Sequence, residues 1–378
     1  MLPNLLEKLG PYVSQAVGLP TESLLQAFRP AIEGDLPGIL ELRQAVLRDV
    51  LWWDDEAFVR WRYFDNKSAT EPTPYWVFEK GKEIIGGIGL EPLVLVVDGE
   101  PCPAVRTLDI MVRPDFDGQG LGVLMNLVIF KHFPITLVTG GNERSRNLIS
   151  RLFRHVLDLH VWKAIIKSRE RVERRLGPGP IASAVAMVGD LFLTMDRRNW
   201  RHPLPKKLEI RELTRFDSWV MVLSQEFERT GRILVRRSPE YLNWRFVHNP
   251  RCRYRILGGL VGGKIVGYVV TRFNLSRPNP RKEAEIVDCL ALPTIGGEIS
   301  PLPFLIRAAV DQLVREGACL VSCTAFDDAI QTAVEASGLH RRPDERLPFF
   351  VQASPTALHE RLSAGQGWCL TGYDSDVE

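Results

Sequence analysis

Leu108-Asp109-Ile110-Met111-Val112-Arg113-Pro114-Asp115-Phe116-Asp117-Gly118-Gln119-Gly120-Leu121-Gly122 is the stretch that decides how this chain folds. Leu108 to Arg113 reads as a strand stopped by Pro114, and an apolar helical run extends from Val123 through Phe130. Between them Gly118, Gly120 and Gly122 alternate with other residues in a loop that enters the helix. Such a loop brings several backbone N–H groups, unhindered by Cβ atoms, to the positive end of a helix dipole. A pyrophosphate is the group it suits. The dinucleotide-binding loop, G-x-G-x-x-G with an acid roughly 20 residues later, has a different spacing, and the lysine of a Walker loop is missing.

Working outward, the strand has an echo. Asp109-Ile110-Met111-Val112-Arg113-Pro114 reappears as Asp288-Cys289-Leu290-Ala291-Leu292-Pro293. Trp61-Arg62-Tyr63-Phe64-Asp65-Asn66 recurs as Trp244-Arg245-Phe246-Val247-His248-Asn249, and Leu137-Val138-Thr139 as Leu320-Val321-Ser322, each 183 residues on. Arg29 to Asp35 and Arg211 to Asp217 both end on an Asp placed to cap a helix, and Gly81-Lys82 and Gly263-Lys264 both turn into strands. Five matches in one order define an internal repeat. Each half reads helix, helix, strand, turn, strand, strand, helix, strand, helix. The expected class is α/β (α+β): two similar domains, each a central mixed, mostly antiparallel β-sheet flanked by helices. The expected boundaries are a helical appendage over 1–27 with Leu5, Leu9 and Val13 on one face, acting as a brace, a first domain over 28–162, a connector over 163–207, a second domain over 208–352, and a tail over 353–378.

Composition agrees with two medium domains. The chain has 378 residues, 45% hydrophobic and 25% charged, and 48 Lys and Arg against 46 Asp and Glu leave +2. That balance builds no field for nucleic acid. Six cysteines with no CxxC pair indicate neither a zinc ribbon nor a disulfide scaffold, so a reducing, cytoplasmic compartment and no metal are expected. No export signal is recognisable in the first twenty residues. In the connector, basic Lys163 to Arg175 ends in the breaker Gly177-Pro178-Gly179-Pro180, followed by apolar Ile181 to Leu193 and basic Arg197 to Lys207. Asp190 interrupts the apolar run, which is too short to span a bilayer but suits docking on the anionic inner face of a membrane; an ordinary interdomain connector is the other reading.

The segment 108–153 resembles motifs A and B of the GNAT superfamily of acyl-CoA-dependent N-acyltransferases. Motif A, a strand ending V-x-P followed by [RQ]-x-x-G-x-[GA], is matched by Val112, Pro114, Gly118, Gly120 and Gly122. Asp117 departs from it, and to avoid the pyrophosphate it is expected to face solvent or to hydrogen-bond within the loop. The resemblance implies acetyl-CoA or a longer acyl-CoA as cosubstrate, with acyl-carrier phosphopantetheine as the alternative donor. Met111, Val112, Gly118, Gln119, Gly120, Leu121 and Gly122 would line it. Motif B, strand Ile135 to Thr139 followed by Gly140-Gly141-Asn142-Glu143-Arg144-Ser145, implies that Asn142, with Ser145 beside it, meets the pantetheine arm where two strands splay; Asn142 also reads as a helix N-cap. Where the family often has a Tyr acid, this chain has Ile149.

The chemistry requires an amine that loses a proton, an accessible thioester, and N–H groups for the oxyanion, which the backbone of Met111 and Val112 could supply. Asp109 is either the base or a buried structural acid, the latter being suggested by its repeat at Asp288. Asp374 and Asp376, in the Trp368 to Asp376 tail, are the other catalytic candidates, and deletion of 372–378 would then abolish turnover while sparing coenzyme binding. Arg144, Arg146, Arg151 and Arg154 are candidates for the adenosine 3′-phosphate. In the second half, Thr294 to Pro301 replaces the glycine loop, Glu298 would repel phosphate, and Ala325 stands where Asn142 should be. That half is expected to be free of coenzyme and to shape the acceptor pocket, as in tandem relatives such as N-myristoyltransferase. The expected function is acyl transfer to an amine acceptor, an amino-lipid of sphingoid type or an amino-sugar precursor. An inactive acyl-CoA sensor or assembly subunit is the alternative. Gly120→Glu is expected to abolish coenzyme binding without unfolding the protein.

Overall fold

Along Tyr75–Lys80 successive side chains enter opposite cores: Trp76 and Phe78 join one apolar cluster, Tyr75 and Val77 another. This is the two-residue period of a strand covered on both faces. The computed structural model describes residues 2–47, 55–66, 74–141, 143–199, 204–274, 282–297 and 299–375. Its strands are β1 (Phe28–Pro30), β2 (Tyr75–Lys80), β3 (Glu83–Val97), β4 (Glu100–Val112), β5 (Ile135–Thr139), β6 (Arg154–Ile165), β7 (Leu208–Leu213), β8 (Leu234–Val235), β9 (Tyr254–Val261), β10 (Lys264–Phe273), β11 (Glu283–Ala291), β12 (Leu320–Phe326), β13 (His340–Ala353) and β14 (Leu370–Thr371). Two compact units emerge, and the chain passes between them several times.

The first unit comprises the chain up to Leu157, Asn249–Arg251 and Pro348–Gln366. Its sheet runs β1-β2-β3-β4-β5-β13, antiparallel except for β4 beside β5. β4 begins eight residues before the strand expected from sequence. Pro101 and Pro103 disguise that extension, and the Asp98-Gly99 turn, with φ of 52° and 87°, closes the β3–β4 hairpin. Helices Leu36–Val46 and Glu56–Tyr63 cover one face. Helix Leu121–His132 covers the other and is itself overlaid by Leu2–Val17. The brace contacts are Leu6, Leu9, Val13 and Val17, spaced for one helical stripe, whereas Leu5, expected on that face, is exposed.

The second unit comprises Asp158–His248, Cys252–Leu347 and the chain from Gly367. Its sheet runs β7-β9-β10-β11-β12-β6, the same order as the first, again with one parallel pair, β11 beside β12. The strands at the ends of the two halves are exchanged. β6, from the first half, pairs β12, with Ala325 opposite His160. β13, from the second half, gives Phe349–Ala353 to β5. The compact units therefore do not follow the halves 28–162 and 208–352, and the tail is divided between them. No helix among the described residues is long and apolar enough to cross a membrane.

Candidate functional site

β3 and β4 slip register in the first unit: Gly87 opposes Met111 but Gly89 opposes Leu108, so Asp109 and Ile110 share one partner, Ile88. Asp109 takes φ +43°, a left-handed bulge conformation that Asp tolerates better than most residues with a Cβ. Its side chain fixes the bulge. Oδ2 accepts from Arg43 Nη1 and from the Tyr63 hydroxyl, both at 2.7 Å. Gly87 and Gly89 leave room for flanking tyrosines, since a Cβ on Gly87 would lie 2.6 Å from the Tyr75 hydroxyl and one on Gly89 would strike Tyr63. The Tyr75 hydroxyl is buried and has no hydrogen-bond partner among the described residues. None of Arg43, Tyr63 or Tyr75 was singled out from sequence as a site residue, although Tyr63 lay in the recognised Trp61-Arg62-Tyr63 repeat.

Burial alone would raise the Asp109 carboxyl, but the Arg43 guanidinium, with Arg62 and the Tyr63 hydroxyl, outweighs it and holds the group at about 2. Taking a proton from an alkylammonium near 10.4 would then be uphill by roughly 8 pK units, about 11 kcal/mol. Asp109 is a poor base, and the geometry favours its structural alternative.

Before it reaches the bulge, β4 leaves β5. The parallel pairing consists of Val105 opposite Thr136 and Arg106 opposite Leu137, while β4 continues to Val112 and β5 to Thr139. The buried Arg106–Glu91 ion pair, at 2.8 Å, anchors β4 where the strands part. Arg113 N–H donates to Ile85 on β3. By strand alternation Met111 N–H also faces β3 and Val112 N–H faces the gap, so of the two expected backbone donors only Val112 is aimed there.

The cradle closes the end of this gap. After a tight turn over Pro114–Phe116, Gly118 and Gly120 adopt φ +73° and +81°, with Gly120 capping the helix. Asp117 is exposed and its Oδ1 accepts from Gly118 N–H at 2.9 Å, so it is engaged within the loop. Leu124 N–H donates to Gly120 carbonyl at 3.0 Å; the amides of Leu121, Gly122 and Val123 precede that first helical closure and have no carbonyl four residues back within the helix. The Leu121 side chain is core, so only its amide serves the loop. Gln119 Nε2 donates to Asp115 carbonyl at 3.1 Å. A Cβ on Gly120 would come within 3.1 Å of Leu9 and 3.3 Å of Val13. Gly120→Glu would thus pry away helix Leu2–Val17, contrary to the expectation of a clean binding defect. Gly122, whose Cβ would meet Leu148 at 3.4 Å without positive φ, is the better position.

On the β5 side Gly140 and Gly141, at φ +80° and +110°, turn the chain into helix Glu143–Leu152. Ser145 Oγ lies against Gly141, where a Cβ would be 3.2 Å away. Asn142 and the Arg144 side chain lie outside the described residues, as does Asp376. Arg146, Arg151 and Arg154 are exposed, and Ile149 is buried in the core, so no acid is available at that position.

The second unit repeats the bulge but not the opening. β10 and β11 slip after Val270 opposite Asp288, and the fully buried Asp288 accepts from Arg237 Nη2 at 3.0 Å, Tyr268 hydroxyl at 2.6 Å and Thr371 Oγ1 at 2.9 Å. Where β11 and β12 part, after Ile286 opposite Cys323, β14 pairs β12 through Ala325 opposite Thr371 and Phe326 opposite Leu370. A Cβ on Gly372 would lie 3.2 Å from Val287 carbonyl, so this segment also lies against β11. The tail fills the gap. Pro301 and Pro303 further strip N–H donors from the start of helix Leu302–Arg315. Asp374 is fully buried, accepts Thr371 N–H at 2.8 Å and lies 3.7 Å from Arg237. This corrects its assignment as a catalytic group: no amine reaches it while the tail is seated.

The sheet order, bulge, parting strands and glycine cradle together are decisive. The chain has the GNAT fold. No protein-family model matches the sequence, and no curated protein matches it. Solved structures do. A GCN5-related N-acetyltransferase from Anabaena variabilis is 12% identical over 86% of this chain and 72% of its own, with a TM-score of 0.58. A probable N-acyltransferase from Enterococcus faecalis is 10% identical over 86% and 71%, with a TM-score of 0.55. Saccharomyces cerevisiae N-myristoyltransferase, solved with bound myristoyl-CoA and inhibitors, is 12% identical over 89% and 81%, with a TM-score of 0.54. At such identities the GNAT fold is what is shared.

Proposed function

We propose that the protein is an acyl-CoA-dependent N-acyltransferase that uses its first unit for the coenzyme. The observation that carries this reading is a contrast between two copies of one scaffold: in the first, β4 and β5 stop pairing after Arg106 opposite Leu137, no strand among the described residues pairs between them, and the parting ends at a glycine cradle, while in the second the chain's own tail lies in the equivalent place. The amides of Leu121, Gly122 and Val123 suit the pyrophosphate, and Val112 N–H suits the pantetheine arm or the thioester oxygen. Acyl-CoA would supply an acyl group already activated as a thioester. The amine must then arrive neutral or release its proton to water, because Asp109 is held ionised by Arg43.

As acceptor we propose an amino-lipid of sphingoid type, with an amino-sugar precursor as the second class to assay. The alternative of an acyl-CoA sensor draws on the core position of Ile149 and the low pKa of Asp109. Thiol release from acyl-CoAs of graded length with both amine classes separates the readings. Turnover lost in Gly122→Glu supports the transferase; coenzyme binding without release from any pair supports the sensor; and absence of coenzyme binding in the unaltered protein refutes both.

A further inference from the structure

Helix Pro180–Asn199, in the second unit, is apolar on two sides. Ala182 and Ala186 are buried, and Gly189 admits close contact with Ser168, whose Oγ would be 2.7 Å from a Cβ there. This side packs against helix Arg169–Leu176. The opposite side carries Ile181, Val185, Met187, Val188, Leu191, Phe192 and Met195, exposed from 45% at Val185 to 75% at Ile181. At 100° per residue these seven sweep an arc of roughly 160°, broader than the two-in-seven seam of a coiled coil. A helix that is apolar almost all round is ordinarily covered.

Charge identifies what covers it. Asp190 is withdrawn from the exposed arc: Oδ1 accepts from Ser168 N–H at 2.6 Å and from Ser168 Oγ at 2.8 Å. Thr194 Oγ1 donates to Asp190 carbonyl at 2.7 Å, so its hydroxyl is engaged within the helix. The adjoining helix exposes Arg169, Arg171, Arg174 and Arg175, of which Arg169 pairs Glu173 and Arg174 pairs Glu170. Lys206 and Lys207, exposed, follow in the chain. We infer that this helical hairpin is a docking surface for an anionic lipid bilayer, with the broad arc set among the upper acyl chains and the arginines at the phosphates. A second copy of the chain would be expected to place charged pairs beside a narrower seam.

The test is co-sedimentation of the full-length protein with phosphatidylcholine vesicles containing roughly one-third phosphatidylglycerol or none. It needs neither acyl-CoA nor amine, so it stands or falls separately from the transferase reading. Binding is expected to the anionic vesicles, to weaken with salt, and to drop roughly tenfold or more in both Leu191→Ser/Phe192→Ser and Arg171→Gln/Arg175→Gln, at unchanged melting temperature. Binding that ignores the apolar pair overturns the assignment. So does a protein that ignores vesicles, whether monomeric or, by sedimentation equilibrium, a dimer dispersed by Leu191→Ser/Phe192→Ser; the dimer would make the arc a contact between copies.

Discussion

Asp109 illustrates how one residue can be found in a sequence while its pattern leaves two roles, base and structural acid, side by side. Its position on the strand that leads into the glycine loop is legible, and its repeat at Asp288 already hints at structure. The φ of +43° and the Arg43 partner, 66 residues away, are not legible, because a bulge depends on pairing rather than on local pattern. The sign of its pH dependence follows. The folded carboxyl is depressed from 3.8 to about 2, so its contribution is complete above roughly pH 4 and lost as pH falls through about 2; the shift corresponds to about 2 kcal/mol. Asp109→Asn should remove this acid-limb stability in thermal melts while leaving no missing limb in a pH–rate profile between roughly pH 5 and 9. A limb near neutrality that disappears with Asn would instead make Asp109 the base. The two tyrosines beside it should behave oppositely. Tyr63→Phe deletes a hydrogen bond to a carboxylate and should cost about 1.5–3 kcal/mol, whereas Tyr75→Phe removes an unpaired buried hydroxyl and should change stability by less than about 1 kcal/mol or raise it. Paired denaturant titrations distinguish them.

At the scale of elements, local chemistry was readable and partnership was not. Strand, glycine loop and apolar helix emerged near their observed places because glycine spacing and a proline stop act within a few residues. The helix nevertheless starts at Leu121 rather than Val123, since Gly120 in its left-handed conformation caps it. For the N-terminal helix Leu9 and Val13 of the expected apolar stripe do pack on the core, but Leu5 is exposed and Leu6 is buried in its stead, because the register is set by the surface the helix covers. That surface is the outer side of Leu121–His132, where Leu9 and Val13 lie against its cap Gly120, while Leu121 and Met125 face Gly86 on the sheet. Helix Leu2–Val17 is therefore part of the cradle's foundation. Val13→Ala, at a fully buried contact, should cost about 2 kcal/mol and weaken coenzyme binding no more than that loss of folded protein explains. Gly122→Glu should do the reverse, retaining the melting temperature while abolishing binding; both are read by calorimetry on the same preparations. The exchange of β6 and β13 left no trace in the pattern, because an apolar strand shows which face is buried but not whose edge it joins.

For the molecule as a whole, the duplicated scaffold gives the proposed function its one-coenzyme stoichiometry: the second sheet spends its seam on Trp368–Ser375. Three thiols report on that arrangement. Cys289, Cys323 and Cys369 are buried in the second unit, and burial first, then neighbouring charges, pushes each upward, Cys369 to about 12. Thiolate is the reactive form, so at pH 8 only about one Cys369 in ten thousand would be reactive even before access is considered. In the native protein, maleimide labelling of these three should proceed only as the second unit opens, while half-buried Cys102, Cys252 and Cys319 react sooner. Truncation after Gly367 removes Cys369, Thr371 and Asp374 together, leaving Arg237 and Asp288 without two of their hydrogen-bonding or ionic partners. Cys289 and Cys323 should then label fast and the second unit melt early. Coenzyme stoichiometry by native mass should stay at one per chain, because Pro301 and Pro303 still deny the vacated seam its amide cradle. Prompt labelling of Cys369 in the intact protein would mean the tail is not seated, and the contrast between the two units would lose its physical basis.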